Sequence, residues 1–447
     1  MHETVYRVMR LLCAVVARVP IGTNLGLVCL LWLLVSGRLL TTRGAVIPGL
    51  SALGLSAPAV RRAWAALGQG GWTSATLLEC WASVVEQEHR WRAHEHEGYR
   101  PVAVDLTGFW RPRLRACPTT HYDGRAGKAL PAIPLGLVAR VGSVDGQRLG
   151  LPLAFVRADP ADPSEAVQAR ALVQAAVAGL TERDALIVDA GFGVRRLQEG
   201  GATRYVVREA KNVTARRARP PAYAGRGRPP TRGEVVRPLA RTYRGRRIPA
   251  TAPDRVTTWQ EDEAVIRAEE WQALVRPDAV PGSPTFRLVA IHDPRWTEPL
   301  LLASPLAVSA RALRDLYLDR WPVEQVPLAA KQMLGAGRQF VSAPETCQRL
   351  PELALLAGAI LSYAAATQPA VPTGFWDRRP QPTPGRLRRV LAQARLPMDF
   401  PFPARIREKA AVTAHLPKGF WGQRRPRSAE PTLAQEPGSA QADSQAA

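Results

Sequence analysis

Apolar positions change their spacing several times along the chain. Residues 1–97 carry them at helical intervals. The longest run, "VPIGTNLGLVCLLWLLVSG" at 19–37, is long enough to cross a bilayer and has basic flanks. Asn24, Thr23, Ser36 and three glycines count against a membrane span, and no small-residue cleavage site marks a signal peptide. A buried core helix is the expected reading. Next, "LSAPAVRRAWAAL" at 55–67 has Ser56 as a helix cap and Pro58 in the first turn. Val60, Trp64 and Leu67 share a face, with Arg61 and Arg62 beside it. With the glycines of "GLSALGLS" before it, the segment fits a helix-turn-helix or a plain amphipathic helix equally well.

From Val102 the runs shorten. "VAVDLTGF" is a strand broken by Asp105. Two further runs flank Asp145-Gly146, a hairpin signal. "DPSEAVQARALVQAAVAGL" predicts a helix, "DALIVDAGFG" a buried strand ending at Asp189, "VRRLQEGG" a short helix and "TRYVVREAK" a strand. Strands alternating with helices predict an α/β mixed sheet flanked by helices. Asp105 and Asp189 are expected near carboxyl ends of strands, where open α/β sheets place ligands.

The Arg-, Pro- and Gly-rich segment Asn212–Pro253 is too polar to form a core and reads as loop or disorder. Several strands follow to Leu302, then helices from Ser309 to about Gln368. The resulting division is an N-terminal helical DNA-binding region (1–97), a sheet domain in two parts (98–211 and 303–368), and a basic, β-rich insertion between them (212–302). A Pro/Arg-rich region (369–425) and a disordered tail (426–447) complete it.

Composition narrows the partner. Lys+Arg number 60 against 38 Asp+Glu, a net charge of +22. Such a field favours polyanions, nucleic acid before an anionic membrane. The five cysteines are scattered and form no C-x-x-C, so neither a disulfide framework nor a zinc site is indicated and a reducing compartment is expected.

The most informative stretch is "YLDRWPVEQVPLAAK" at 317–331. On a continuous helix, Tyr317, Arg320, Glu324 and Lys331 would point to roughly 0°, −60°, −20° and −40°, one narrow stripe. Arg and Lys suit phosphate oxygens, and a carboxylate suits a hard divalent cation. A solvated helix face with incidental ion pairing would look the same. Glu324 together with Asp105 and Asp189 makes a three-carboxylate set able to hold two Mg²⁺ ions for in-line phosphoryl displacement.

In these segments the chain resembles the insertion-sequence transposases of the DDE superfamily, in the subgroup marked by Y-(2)-R-(3)-E-(6)-K. Tyr317, Arg320, Glu324 and Lys331 match that spacing throughout. "VAVDLTGF" and "LIVDAGFG" look like the two aspartate strands, and "DRWPVEQ" like the third-acid segment. The resemblance covers roughly residues 100–365. It implies a ribonuclease H-like catalytic domain interrupted by a mainly β insertion. It implies Asp105, Asp189 and Glu324 as catalytic residues and ligands of Mg²⁺, with Mn²⁺ as a substitute. Tyr317, Arg320 and Lys331 would contact transposon-end phosphates, with Trp321 packing on DNA or serving the core. The implied reaction cleaves phosphodiesters at the element's ends and joins the freed 3′-hydroxyl to target DNA. The implied partners are double-stranded DNA (terminal inverted repeats and target) and a second copy of the chain. Trp296 lies near an apolar strand but with Pro299 between them, which leaves a hairpin step open.

Two motifs remain. Arg226 and Arg228 in "GRGRP" resemble a minor-groove hook, although a basic loop making unspecific phosphate contacts is the favoured reading. "HEHE" at 94–97 reads as a solvated helix end. The expected location is cytoplasmic and nucleoid-associated, with no membrane. The competing function is a catalytically decayed transposase that only binds DNA.

Overall fold

The computed structural model describes residues 2–408 apart from 21, 116, 224, 226–231, 281, 373 and 398. Arg226, Arg228 and the expected tail at 426–447 therefore lie outside the described residues.

The chain opens with α1 (His2–Val16), α2 (Asn24–Val35), α3 (Arg38–Thr41), α4 (Val46–Ala52), α5 (Ala57–Gln69) and α6 (Ser74–Gln87). At 12 residues, α2 spans about 18 Å, too short for a bilayer core. It is buried on every side except at Leu25, as the core-helix expectation requires. It approaches α5 so closely that a Cβ on Gly26 would sit 2.6 Å from the Arg62 carbonyl oxygen. Helices α4 and α5 follow one another across residues 53–56, and α5 turns Val60, Ala63, Ala66 and Leu67 inward, leaving Arg61 and Arg62 exposed.

Helical structure ends at Gln87, earlier than the expected boundary at 97. Residues Trp91–Ala93 form strand β1, which pairs antiparallel with β4. The "HEHE" run that follows is therefore a sheet-edge turn and no helix end. The sheet continues with β2 (Arg100–Trp110), β3 (Thr120–Asp123), β4 (Lys128–Val144) and β5 (Gln147–Arg157). Asp145 and Gly146 turn β4 into β5 with φ of 49° and 81°, the two positive values a type I′ turn needs. Helix α7 (Glu165–Ala178), β6 (Asp184–Val188), α8 (Gly193–Glu199) and β7 (Tyr205–Arg208) follow in the expected order.

Asn212–Pro253 departs from expectation. It contains β8 (Ala215–Arg217), β9 (Val235–Val236) and a hairpin of β10 (Arg241–Tyr243) with β11 (Arg246–Ile248). Ala215 and Val236 are fully buried because β8 docks on β13, which lends this polar segment a neighbour's core. Strands β12 (Arg255–Glu261), β13 (Ala264–Val275), β14 (Phe286–His292) and β15 (Leu300–Ser304) complete a 13-stranded mixed sheet. Its main path runs β1-β4-β2-β6-β7-β15-β14-β13-β8-β9, so the β-rich insertion extends the central sheet through β7 and β15. Strands β2, β6 and β7 are parallel, and the rest pair antiparallel.

Helices cover both faces. The even face of β2 (Val102, Val104) packs with α7, while its odd face (Ala103, Phe109) shares one core with the N-terminal helices and α11 (Pro344–Ala366). Two ion pairs clamp α11 to the sheet: Arg157 on β5 donates to buried Glu352 at 2.7 and 2.9 Å, and also to exposed Glu345. Among the described residues, only α11 is long and apolar enough to cross a membrane, and 94% of its most apolar window is buried in this core. Helices α12 (Pro384–Gln393) and α13 (Ala404–Arg407) add Leu387, Leu391 and Ile406 to the same core, so the start of the Pro/Arg-rich region is packed structure.

Candidate active site

The odd face of β2 presents Ala103, Asp105, Thr107 and Phe109 in sequence, because strand side chains alternate. Asp105 sits in the middle of β2, not at its carboxyl end as expected. Its parallel neighbour β6, however, stops at Val188, in register with Ala103↔Ile187. Two residues beyond that pair come Asp105, still inside β2, and Asp189, just past the end of β6. The end of β6 therefore exposes a notch in the sheet with one acid on each side. Asp184, fully buried at the start of β6, fixes that register by accepting from the Thr181 N–H (2.9 Å) and from Arg140 (3.1 Å). Asp189 is half-buried, and its Oδ1 accepts the Gly191 N–H at 2.9 Å in the turn toward α8.

The third acid arrives from above. Helix α9 (Ala310–Leu318) packs over β6 and β7, and α10 (Trp321–Leu328) packs over β2 and β4. At their joint, Asp319 meets His94 and His96 after β1 and Arg148 on β5. The single continuous stripe expected from 317 to 331 does not exist. Tyr317 is on α9, Arg320 precedes α10, Glu324 is on α10, and Lys331 lies in a π-helical turn (Ala329–Met333). Pro322 enters at the first turn of α10, where its missing N–H costs nothing; Pro327 deprives that helix of a further bond just before the π turn.

The four signature residues nonetheless converge. Arg320 pairs with Glu324 through Nη1 and lies over the Tyr317 ring at 5.7 Å. Lys331 Nζ donates to Thr107 Oγ1 at 2.6 Å and lies over Phe109 at 5.2 Å. Tyr317 is 8% exposed, so its ring is a support for Arg320. Trp321 is 58% exposed at the mouth of the site.

The electrostatics record how close the acids are. Burial, then the neighbouring Glu324 and Asp189 carboxylates, push the Asp105 carboxyl up to about 6, against a smaller opposing pull from Arg320. Burial pushes the Lys331 ammonium down to about 8, while Asp105 pulls it up. Glu324 and Asp189 both act on Asp105, and Arg320 pairs directly with Glu324. Carboxylate oxygens are donors that hard divalent cations accept, but among the described residues the group whose ligand atoms all lie within 4.8 Å of one another is His94, His96 and Asp319.

Two features escaped the sequence reading. Thr107 and Phe109, which hold Lys331, could have been found from the period-2 face of Asp105. The other is a second cluster on the same joint: His94 Nδ1 and His96 Nε2 lie 2.9 and 2.8 Å from Asp319 Oδ2. "HEHE" was the visible signal, but its partner is more than two hundred residues away.

No family model matches the chain, and no curated protein matches it.

Proposed function

We propose that this chain is a DNA transposase of the DDE type, with a ribonuclease H-like catalytic domain acting on the ends of an insertion sequence. One observation carries the reading: Asp105 feels both Asp189 and Glu324, though the three come from β2, the end of β6 and α10. The mixed sheet with parallel β2, β6 and β7, helices on both faces and a β-rich segment before α9 supports the domain type. The net charge of +22 and the exposed Arg61 and Arg62 on α5 support a DNA partner.

Asp105, Asp189 and Glu324 would hold Mg²⁺, or Mn²⁺ in its place. Bound there, a metal pair supplies activation of the attacking oxygen and stabilisation of the leaving oxygen. Arg320 orients Glu324 and, braced by Tyr317, turns its remaining N–H groups toward phosphate. Lys331, held by Thr107, places a cation beside the strand and near Asp105. Trp321 offers an exposed face for a base or sugar. In the first step a water oxygen attacks the end phosphorus, the P–O3′ bond breaks and the 3′ oxygen leaves as a hydroxyl. In the second, that 3′-hydroxyl attacks a target phosphorus and displaces another 3′ oxygen. Two ends cut together call for two copies of the chain.

The test is cleavage of DNA carrying the segments that flank this gene, in Mg²⁺, by the wild type and by Glu324→Ala. Cleavage by the wild type alone supports the reading. Equal cleavage by both proteins overturns the catalytic assignment. No cleavage by either, with DNA binding retained, favours a decayed transposase that only binds DNA.

A further inference from the structure

The His94, His96 and Asp319 side chains do not belong to the acid site, and their chemistry differs from it. We propose that they form a separate site for a transition-metal dication of the Zn²⁺ class. This goes beyond the DNA-cleavage reading and does not depend on it.

The ligand atoms of the three residues all lie within 4.8 Å of one another. Both imidazole nitrogens already face one carboxylate oxygen, at 2.9 and 2.8 Å. A tetrahedral ion with bonds of about 2.0–2.1 Å sets its ligands about 3.3 Å apart, so sub-ångström movements admit it. To bind the ion, His94 carries its proton on Nε2 and His96 on Nδ1, so that Nδ1 and Nε2 respectively offer lone pairs beside the ionised Asp319. Two imidazoles and one carboxylate suit zinc, cobalt or nickel, and disfavour Mg²⁺, which the acid site takes.

The surroundings hold each ligand in place. His94 is fixed through its backbone N–H, which donates to the Val141 carbonyl on β4 at 3.0 Å. Asp319 is almost wholly buried at the end of α9, and its second oxygen stands 3.8 Å from Arg148 Nη1. That leaves Oδ2 as the free ligand. Burial opposes ionisation of Asp319, but the two histidine hydrogen bonds outweigh it and hold the carboxyl below its usual range. A cleft of about 430 Å³, lined also by Glu95, Glu261, Arg311 and Asp315, opens onto the cluster. It gives room for water as the fourth ligand. A metal here fastens the turn after β1 to the joint between α9 and α10, one residue before Arg320.

The experiment uses tag-free full-length protein titrated with Co²⁺ and followed in the visible range. The wild type is expected to bind one equivalent with the intense bands of a tetrahedral ion, and Zn²⁺ to bleach them. His94→Ala and His96→Ala should each lose those bands, whereas Asp105→Asn should keep them. Thermal melting of the wild type alone gives a second reading: Zn²⁺ should raise the midpoint and equal Mg²⁺ should not. Absence of the tetrahedral bands in the wild type, their persistence in both histidine variants, or a midpoint indifferent to Zn²⁺ overturns the proposal.

Discussion

Two clusters of ligand-type side chains hang on one helix joint, and they solve the problem of buried charge in opposite ways. At His94, His96 and Asp319 the charge is satisfied: two N–H groups meet one carboxylate oxygen, and Arg148 faces the other. At Asp105 burial and the nearby Glu324 and Asp189 carboxylates push the carboxyl up to about 6, although Arg320 pairs with Glu324. A satisfied cluster stabilises the fold that builds it. A frustrated one costs stability and is retained where a ligand relieves it. The contrast is the one the proposed reading rests on, although Asp319 and Arg320 are adjacent in sequence.

The sharpest way to break this contrast is catalytic. Asp189→Asn and Glu324→Ala are each expected to lower Mg²⁺-dependent DNA cleavage by about 100- to 1,000-fold, the loss typical of a principal charge-stabilising group. His94→Ala should lower it by less than about tenfold. A single-turnover cleavage assay measures both, and equal losses would erase the distinction.

Stability should show the reverse. Asp319→Ala strips a buried partner from two histidines, and a loss of about 2–3 kcal/mol is expected by urea denaturation. Asp105→Asn should instead stabilise by about 1–2 kcal/mol at pH 8 without divalent ions. The sign follows from the raised carboxyl: between the unfolded value of 3.8 and about 6 the folded protein binds the extra proton. Wild-type stability therefore falls as pH rises through that window, and the advantage of Asn disappears below it. A variant less stable than wild type at pH 8 would mean that Asp105 is a structural ion-pair residue.

These differences were unevenly legible in the sequence. The order of strands and helices from Val102 to Arg208 could be read because each element carries its own apolar period and turn residues, Asp145-Gly146 most plainly. The sequence put Asp105, Asp189 and Glu324 forward together, but not their geometry. Asp105 lies mid-strand, and only the early end of β6 opens the notch beside it. The break between α9 and α10 was signalled by Pro322, yet the π turn that carries Lys331 depends on packing against α11 and α12. The strands within Asn212–Pro253 were illegible because their burial is supplied by β13. The histidine cluster was missed because β1, three residues long, looked like the end of a helix.

The smallest expected effect lies farthest from both clusters. Arg61→Ala with Arg62→Ala should weaken DNA binding only several-fold. It should flatten the dependence of log affinity on log salt by about 1.8 if both side chains contact phosphate. Filter binding across a salt series checks this; an unchanged slope would remove α5 from the DNA interface.

The central claim is that three carboxylates from β2, β6 and α10 make one metal site. Anomalous diffraction from crystals soaked in Mn²⁺ tests it most directly. The account predicts density bridging Asp105, Asp189 and Glu324, with carboxylate oxygens about 2.0–2.3 Å from the metal. Mn²⁺ bound elsewhere, or Glu324 more than about 10 Å from both aspartates, would contradict it.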